Sequence, residues 1–370
     1  MRKEVSMNSI DLVQKAIAFD QPDRIPIELV EVPGIYDDYG TIPRDAVDRD
    51  FPPLKDFDSI QAIYSWVFEE LGNDSNGDRL RRDEWGCVQK IPHTGEYTYL
   101  VIEEPLKDWD HISTYRFPEP SVADAWFSDI EKSLKKYQGK FINAFIDPGI
   151  TLVALNMRGY EDLLIDYYRN LDRVLYLFDG IWEYQKEIIK KWKAVGAHAI
   201  SLYEEWATQD RMYVAPEWWR QNMKPFYKKV FDFIHEQGLY TGMGIDGWIL
   251  DIIDDLQEIG LDILDNRQPI LLGIDKLARA GNGRLCIKAS NDMQLSLPGK
   301  TPGEVRSEAR DLAQKLGFAR KGGFIGLVFK WDRISLPIEN VLASYEGFYH
   351  YREVSLEKGY DAEAMAGAES

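Results

Sequence analysis

The chain of 370 residues carries 44 Lys and Arg against 62 Asp and Glu. The resulting net charge of −18 argues against a nucleic-acid partner and an anionic membrane surface, because both require a basic face. A hydrophobic content of 45% excludes a disordered chain, and two distant cysteines, Cys87 and Cys286, exclude a disulfide framework.

The N-terminal residues lack an apolar signal core, and no run approaches the roughly 20 apolar residues of a membrane-spanning helix. We therefore predict a cytoplasmic protein with no membrane association. Helical spacing over 9–20 predicts a first helix, and alternation over 25–31 predicts a strand. The following Pro-, Gly- and Asp-rich region contains two segments, 82–88 and 96–102, that are typical of the strands of a hairpin, with His93 in the turn region.

From residue 122 onward, helices and apolar strands alternate regularly. Helices are predicted over 122–137, 159–168, 171–194, 216–237, 247–259, 271–280 and 302–317. Buried strands are predicted at 141–146, 199–205, 239–247, 261–266, 284–292 and 323–330. This alternation indicates βαβ units with parallel strands. When such units close into a barrel, the residues that follow the strands converge on one mouth, where active sites lie.

The first polar cluster at a strand end contains Tyr203, Glu204, Glu205 and Trp206. Paired carboxylates beside an aromatic residue can bind a metal or move protons. The alternative is a solvated loop in which one acid caps the next helix.

The second cluster, 242–248, combines three glycines with Asp246 and Trp248. Glycines let the backbone approach a ligand closely, and we expect that function here because a glycine-rich strand end offers no packing advantage. Asp246 is alternatively an N-cap of the following helix. The glycine spacing does not complete a nucleotide-binding fingerprint.

Three further strand ends carry polar side chains. Asn266 and Gln268 suit substrate hydrogen bonding or a simple turn. Lys288 ends an apolar strand, where it would hold a carboxylate or form a structural ion pair. Other polar residues at these ends are Asn291, Gln294, Lys330 and Asp332.

None of the five histidines follows a strand as the acids do, so a zinc site of His and Cys is poorly supported. Most aromatic residues between 182 and 227 have helical spacing and are expected in the core. Trp206 and Trp248 are the exceptions. We expect both to wall a pocket for an apolar or aromatic substrate.

Short motifs lie along nearly the whole chain, at 22–26, 83–86, 105–109, 159–164, 215–219, 224–225, 260–264 and 336–340. Together they resemble the uroporphyrinogen decarboxylase superfamily, which includes the decarboxylase of haem biosynthesis and corrinoid-linked methyltransferases. The resemblance implies a (β/α)8 TIM barrel with a site at its C-terminal mouth. We therefore predict one domain over 1–370, with an N-terminal extension (1–120) containing a small β-hairpin region, regular βα units (121–350) and a flexible tail of small polar residues (361–370).

The functional motifs of both branches are replaced. Where the haem decarboxylase carries an arginine-rich loop for substrate carboxylates, residues 31–39 hold three acids and no arginine, so a polyanionic porphyrinogen would be repelled. The zinc-binding His-x-Cys pair of the methyltransferases corresponds to 244–246, and the later cysteine to 330–332. Asp246 in place of cysteine suits a hard divalent cation, or acid–base chemistry without a metal.

The leading hypothesis is therefore a methyltransferase or demethylase that moves a methyl group from a small methylated compound to a separate corrinoid protein. The predicted catalytic residues are Glu204, Glu205, Asp246, Lys288 and Asp332. Glu204 and Asp246 are the candidate ligands if a divalent metal binds. The predicted substrate-binding residues are Tyr203, Trp206, Trp248, Asn266, Gln268, Asn291, Gln294 and Lys330.

Two alternatives stay open at this point. The first is a decarboxylase or other lyase for a small carboxylic acid, with Lys288 holding the carboxylate. The second is a non-catalytic ligand-binding homologue. The oligomeric state also stays open, with a homodimer as one alternative.

Overall fold

The computed structural model describes residues 7–31, 57–64, 66–93, 99–328 and 336–352. Eight parallel strands close into a barrel, which confirms the predicted α/β TIM barrel. The barrel strands are β1 (Ile27–Glu31), β2 (Ser59–Tyr64), β7 (Phe141–Ile146), β8 (Ala199–Glu204), β9 (Tyr240–Ile245), β10 (Ile263–Asn266), β11 (Cys286–Ala289) and β12 (Phe324–Val328). Their order around the barrel is β1-β12-β11-β10-β9-β8-β7-β2.

Helices surround the barrel and pack their apolar stripes against the strands. In α5 the buried residues Leu177, Ile181 and Ile188 recur at helical spacing, which explains why its predicted bounds are correct. The helices are α1 (Ser9–Ile17), α2 (Asp124–Leu134), α3 (Ile150–Arg158), α4 (Tyr160–Arg169), α5 (Leu171–Ala194), α6 (Pro216–Asn222), α7 (Lys224–Glu236), α8 (Ile253–Glu258), α9 (Pro269–Leu272), α10 (Ile274–Arg279), α11 (Pro302–Leu312) and α12 (Ile338–Tyr351). No helix in the described ranges is long and apolar enough to cross a membrane.

The second barrel strand, β2, was not predicted. Ser59 and Gln61 are fully buried, whereas Ile60, Ala62 and Tyr64 pack into the main hydrophobic core outside the barrel wall. The strand therefore alternates polar and apolar residues and lacks the continuous apolar run used to recognise the others. It also means that the 1–120 region contributes two barrel strands.

A second sheet is inserted between β2 and β7. It is antiparallel and consists of β3 (Phe68–Asn73), β4 (Arg79–Asp83), β5 (Val88–Ile91) and β6 (Leu100–Glu103). β5 and β6 pair as a hairpin in the predicted region, although β5 begins only at Val88, and residues 94–98 of the predicted turn and second strand lie outside the described residues. The prediction of one strand over 82–88 is wrong, because Asp83 Oδ1 accepts hydrogen bonds from the Trp85 and Cys87 amides and closes a turn between β4 and β5.

The N-terminal end of the barrel is closed by α1. Val13 and Ile17 pack against a layer of buried residues inside the barrel that includes Phe141, Ala199 and Ile263. Because this end is sealed by apolar contacts, a ligand must enter from the C-terminal mouth.

Candidate active site

A cavity of about 610 Å³ lies at the barrel mouth, between the strand ends and the inserted sheet. The barrel and its helices supply one wall, and residues around β6 supply the other. The lining residues are Trp66, Tyr99, Leu100, Val101, Glu104, Asp147, Leu152, Leu155, Asn156, Gly159, Tyr160, Tyr203, Glu205 and Tyr213.

Successive side chains at the end of β8 point in opposite directions, as the pleat of a strand requires. Tyr203 and Glu205 line the cavity. Glu204 and Trp206 are fully buried on the other side, toward the surrounding helices. The predicted cluster of four neighbouring residues therefore divides into two pairs with different surroundings.

Glu204 binds the start of α3. Its carboxylate accepts hydrogen bonds from the Ile150 and Thr151 amides, each at 2.9 Å, and from the Thr151 hydroxyl. A carboxylate at this position satisfies amides that have no partner within the helix and interacts favourably with the helix dipole. Burial nevertheless raises the pKa of Glu204. Glu204 therefore caps a helix, but it is fully buried and the helix is α3, which precedes β8, rather than the next helix of the predicted solvated loop.

Trp206 lies in the hydrophobic core. Its indole Nε1 donates to the Tyr227 hydroxyl at 2.9 Å, and its ring stacks on Tyr167 at a centroid distance of 5.5 Å. It does not line the cavity, so its placement does not support the predicted role as a pocket wall. Trp248 is partly buried and does not line the cavity either; the Lys276 ammonium lies 5.1 Å from its ring centroid.

Glu205 is the predicted acid that the structure places in the cavity wall. Burial, together with the nearby negative charges of Asp246 and Asp147, raises the pKa of Glu205 to about 7. Its Oε2 accepts a hydrogen bond from the Tyr213 hydroxyl at 3.4 Å. At neutral pH this carboxyl group therefore populates both protonation states, as a general acid or base requires.

Asp246 lies behind Tyr203, whose hydroxyl donates to Asp246 Oδ2 at 3.0 Å. Burial raises the pKa of Asp246, and the Arg267 guanidinium opposes that shift. Asp246 Oδ1 is buried and has no hydrogen-bond partner among the described residues. Asp246 does not act as an N-cap, because α8 begins only at Ile253.

Arg267 and Asp147 were not predicted as site residues. Arg267 stacks over the rings of Phe145 and Tyr203, with 5.2 and 5.7 Å to their centroids. Asp147 directly follows β7 and lines the cavity. Each of the two residues directly follows a strand, so the criterion used for the other clusters, a polar residue at a strand end, would have selected both.

Lys288 lies below the mouth, inside the barrel, and is fully buried. Its ammonium donates to Glu28 Oε1 at 2.7 Å and lies 3.1 Å from Asp265 Oδ2. Asn143 and Ser59 also donate to Glu28. These contacts favour the structural ion pair over the carboxylate-holding role.

The other predicted polar residues form hydrogen bonds within the loops at the barrel mouth. Gln268 Oε1 accepts from the Gly247 amide at 2.9 Å and from the Gln209 side chain at 3.3 Å, which ties the β9 and β10 ends together. Asn266 Oδ1 accepts from the Gln268 amide at 3.2 Å. Asn291 donates to the Val305 carbonyl and to Glu308. None of these side chains lines the cavity.

Gln294 is exposed to solvent. Lys330 and Asp332 lie outside the described residues, as does most of the 31–39 loop. Within the described ranges, no group of three or more His, Cys, Asp or Glu side chains is arranged to hold a metal ion. The metal roles of Glu204 and Asp246 stay predictions.

The glycines of β9 have a packing reason, which corrects the sequence interpretation. A Cβ on Gly244 would lie 2.8 Å from the Phe145 ring and 3.2 Å from the Tyr203 ring. A Cβ on Gly242 would lie 2.0 Å from the Ser201 hydroxyl. The space that glycine leaves is therefore filled by neighbouring barrel side chains, which position Tyr203 at the cavity.

The fold is similar to that of several solved structures. A methyltransferase from Methanosarcina mazei aligns over 93% of this chain and 99% of its own, with a TM-score of 0.68 and 13% identity. An endo-β-1,4-xylanase from Gloeophyllum trabeum aligns over 91% and 99% (TM-score 0.46, 9% identity), and a xylose isomerase domain protein from Planctomyces limnophilus over 88% and 96% (TM-score 0.43, 13% identity). No protein-family model and no curated protein matches the sequence.

At 13% identity the first likeness shows a shared barrel fold along nearly the full length of both chains. It agrees with the fold that the superfamily resemblance implies. The reaction does not follow from it, because one barrel fold supports many chemistries.

Proposed function

We propose that this protein is an enzyme that removes a methyl group from a small methylated compound bound in the mouth cavity and transfers it to a corrinoid on a separate protein. The observation that carries the proposal is Glu205, a carboxyl group in the cavity wall with a pKa of about 7. The nature of the acceptor rests on the superfamily resemblance.

The chemistry requires a proton at the leaving atom. When the bond between the methyl carbon and an oxygen or nitrogen breaks, its electron pair stays on the oxygen or nitrogen. Without a proton that atom is a poor leaving group, and Glu205 is placed to supply one while the methyl group bonds to the nucleophilic acceptor. General acid catalysis of this kind contributes about 10²- to 10⁴-fold in rate.

Neighbouring groups tune Glu205 for this role. Asp246 and Asp147 disfavour the ionised form, so the proton is retained near neutral pH. Tyr213 binds Oε2 and orients the carboxyl group. Tyr203, held by Asp246, forms the floor of the cavity beside it.

The cavity is open at the barrel mouth, where a partner protein would bring its corrinoid to the bound methyl group. The barrel's other end is closed by α1, so donor and acceptor would meet at the mouth.

The lyase alternative has less support. A carboxylate substrate needs a cation, yet the described lining residues include three carboxylates and no Lys, Arg or His. Lys288 is the residue predicted to hold such a substrate, and its ammonium is already bound by Glu28 and Asp265.

The test is methyl transfer from a panel of O-methyl and N-methyl compounds to a chemically reduced corrinoid, followed by its absorption spectrum. We expect transfer from at least one compound class and a loss of about 10²-fold or more in Glu205→Gln. Glu131→Gln, at an exposed position on α2, is the matched control and should behave as wild type. Equal rates for the two variants would remove Glu205 from the mechanism, and the absence of transfer across the panel would contradict the proposal.

A further inference from the structure

Resting on the proposed function, we infer that the methyl donor bound in the mouth cavity is a neutral, polyhydroxylated alkyl ether, that is, a sugar or cyclitol ring that carries an O-methyl group. Three features support this substrate class: the proton that the reaction requires, the hydrogen-bonding groups of the described lining and its aromatic rings. Each feature excludes a different class of methyl donor.

The need for a proton separates the donor classes. A methylated ammonium group leaves as a neutral amine and requires no proton. An alkyl ether leaves as an alkyl oxide, which is a much poorer leaving group than the aryl oxide of an aryl ether, because an alcohol is a far weaker acid than a phenol. A general acid such as Glu205 therefore contributes most with an alkyl ether. The methyl carbon bonds to the electron pair of the reduced acceptor, the pair of the broken bond stays on oxygen, and the Glu205 proton completes a free hydroxyl group.

Hydrogen-bond acceptors dominate the polar part of the lining. Glu104, Asp147 and Glu205 contribute carboxyl oxygens, and no lining residue in the described ranges is Lys, Arg or His. Lys107 also interacts with Glu104, but its ammonium is bound by Asp162 at 2.8 Å and does not line the cavity. A ligand with several hydroxyl groups brings the hydrogens that carboxylates accept. A carboxylated donor would be repelled, and a donor without hydroxyl groups would displace water from these oxygens and give no hydrogen bond in return.

Further polar groups of the lining are held in place by one another. Asn156 Nδ2 donates to the Tyr99 hydroxyl at 3.2 Å. The Tyr213 hydroxyl interacts with Glu205 and with the Tyr160 hydroxyl. A site whose hydrogen-bonding groups have fixed positions discriminates strongly against ligands that lack the matching hydroxyl groups.

Five aromatic rings supply the apolar part of the lining. Trp66 and Tyr99 meet edge to face with centroids 5.2 Å apart, Tyr160 and Tyr213 do the same at 5.6 Å, and Tyr203 is the fifth ring. Aromatic ring faces carry negative potential and attract the weakly positive C–H groups of a sugar ring. Because a sugar ring presents C–H groups and hydroxyl groups together, it matches the rings and the carboxylates at once. The volume of about 610 Å³ is typical of a pocket for a small molecule.

The substrate class can be tested by binding. The probes are the mono-O-methyl ethers of D-glucose, D-galactose and myo-inositol. Methoxycyclohexane is a ring ether without hydroxyl groups, and guaiacol is a neutral aryl ether. By calorimetry at pH 7, we expect at least one polyhydroxylated ether to bind about tenfold or more tightly than both comparison compounds. Equal or tighter binding of guaiacol or methoxycyclohexane, or no binding by any polyhydroxylated ether, would overturn the inference.

Glu104 allows a second measurement away from the reacting centre. Glu104→Gln keeps the size of the side chain and removes its charge, so the affinity for the best polyhydroxylated ether should fall about tenfold. Glu103→Gln, at the neighbouring exposed position that does not line the cavity, is the matched control and should bind as wild type does. Unchanged affinity in Glu104→Gln would contradict the inference. If that variant does not fold, Tyr160→Phe removes a hydroxyl group from a half-exposed lining residue and should weaken binding about threefold or more.

The two proposals fail in different ways. Methyl transfer from guaiacol or another aryl ether, but from no polyhydroxylated ether, would overturn this inference and leave the methyl-transfer proposal standing. Tight binding of a polyhydroxylated ether without methyl transfer from any donor would overturn the methyl-transfer proposal and identify a polyol-binding protein.

Discussion

Lys288 donates a 2.7 Å hydrogen bond to Glu28, although 260 residues separate them in the sequence. The pair lies inside the closed barrel, with Glu28 on β1 and Lys288 on β11, the two strands that flank β12. Both side chains are at most 1% exposed. Asp265 lies 3.1 Å from the same ammonium. Two carboxylates and one ammonium thus replace the apolar filling that usually occupies a barrel interior.

Replacing Lys288 with Met should destabilise the fold by about 3–5 kcal/mol, because Glu28 would be buried without its cation and Asp265 would keep only Arg267, at 3.7 Å. The measurement is urea unfolding of wild type and Lys288→Met. The double variant Glu28→Gln/Lys288→Met should recover part of the loss. If the single variant were as stable as wild type, the ion pair would have no structural role.

The stability of the ligand-free protein should depend on pH through Glu205. Its pKa in the folded protein, about 7, lies above its usual value, so the folded state holds a proton that the unfolded chain releases. Stability should therefore fall as the pH rises from about 4.5 to 7. At pH 8, Glu205→Gln should be about 1–2 kcal/mol more stable than wild type, a range that allows for the partial solvent exposure of this side chain.

The check is a series of urea unfolding curves at pH 4.5, 6 and 8 for wild type, Glu205→Gln and Glu131→Gln. The Glu131→Gln curve should follow wild type, because this side chain is exposed on α2. If the free energy of unfolding changed with pH in the same way in all three proteins, the pH dependence of stability would not come from Glu205.

Glu204→Gln should lower stability by about 1–3 kcal/mol, since the α3 amides of Ile150 and Thr151 would lose a charged acceptor. The rate of methyl transfer should stay close to wild type, because Glu204 does not line the cavity. Thermal unfolding and the methyl-transfer assay on one sample separate the two effects. Unchanged stability with lost activity would show that Glu204 acts in the reaction.

Gly244→Ala should destabilise the barrel by about 1–3 kcal/mol, because the new methyl group overlaps the Phe145 and Tyr203 rings. Displacement of Tyr203 should also weaken ligand binding. Gly303→Ala is the matched control, since nothing lies within 4 Å of its Cβ position in α11. It should be neutral or stabilising by up to about 1 kcal/mol. A Gly244→Ala protein as stable as this control would show that the rings can move aside.

Most of the barrel could be predicted because most of its strands are short runs rich in apolar residues between turn residues. The 141–146 and 199–205 runs differ by no more than one residue from β7 and β8. β2 was not predicted because Ser59 and Gln61 face the polar interior, where Gln61 donates to Asp265. Its alternation of polar and apolar residues is typical of a strand with one solvated face, and not of a buried barrel strand.

Of the residues predicted at the strand ends, the structure places Tyr203 and Glu205 at the cavity and several others away from it. A strand directs neighbouring side chains to opposite faces, so only every second residue can reach the mouth. Glu205 reaches it and Glu204 does not. Likewise Arg267 stacks on Tyr203 at the mouth, while Asn266 and Gln268 brace the loops. Counting outward from the buried Ser201 would have selected Tyr203 and Glu205.

The inserted sheet enters and leaves the barrel between the same two strands, β2 and β7. It contributes Leu100 and Val101 to one wall of the cavity, whereas Glu205 belongs to the opposite wall. Under the proposed function, substitutions in β6 would change which compounds the cavity admits without changing the Glu205 carboxyl group. Substrate selectivity and proton transfer would then depend on separate stretches of the chain.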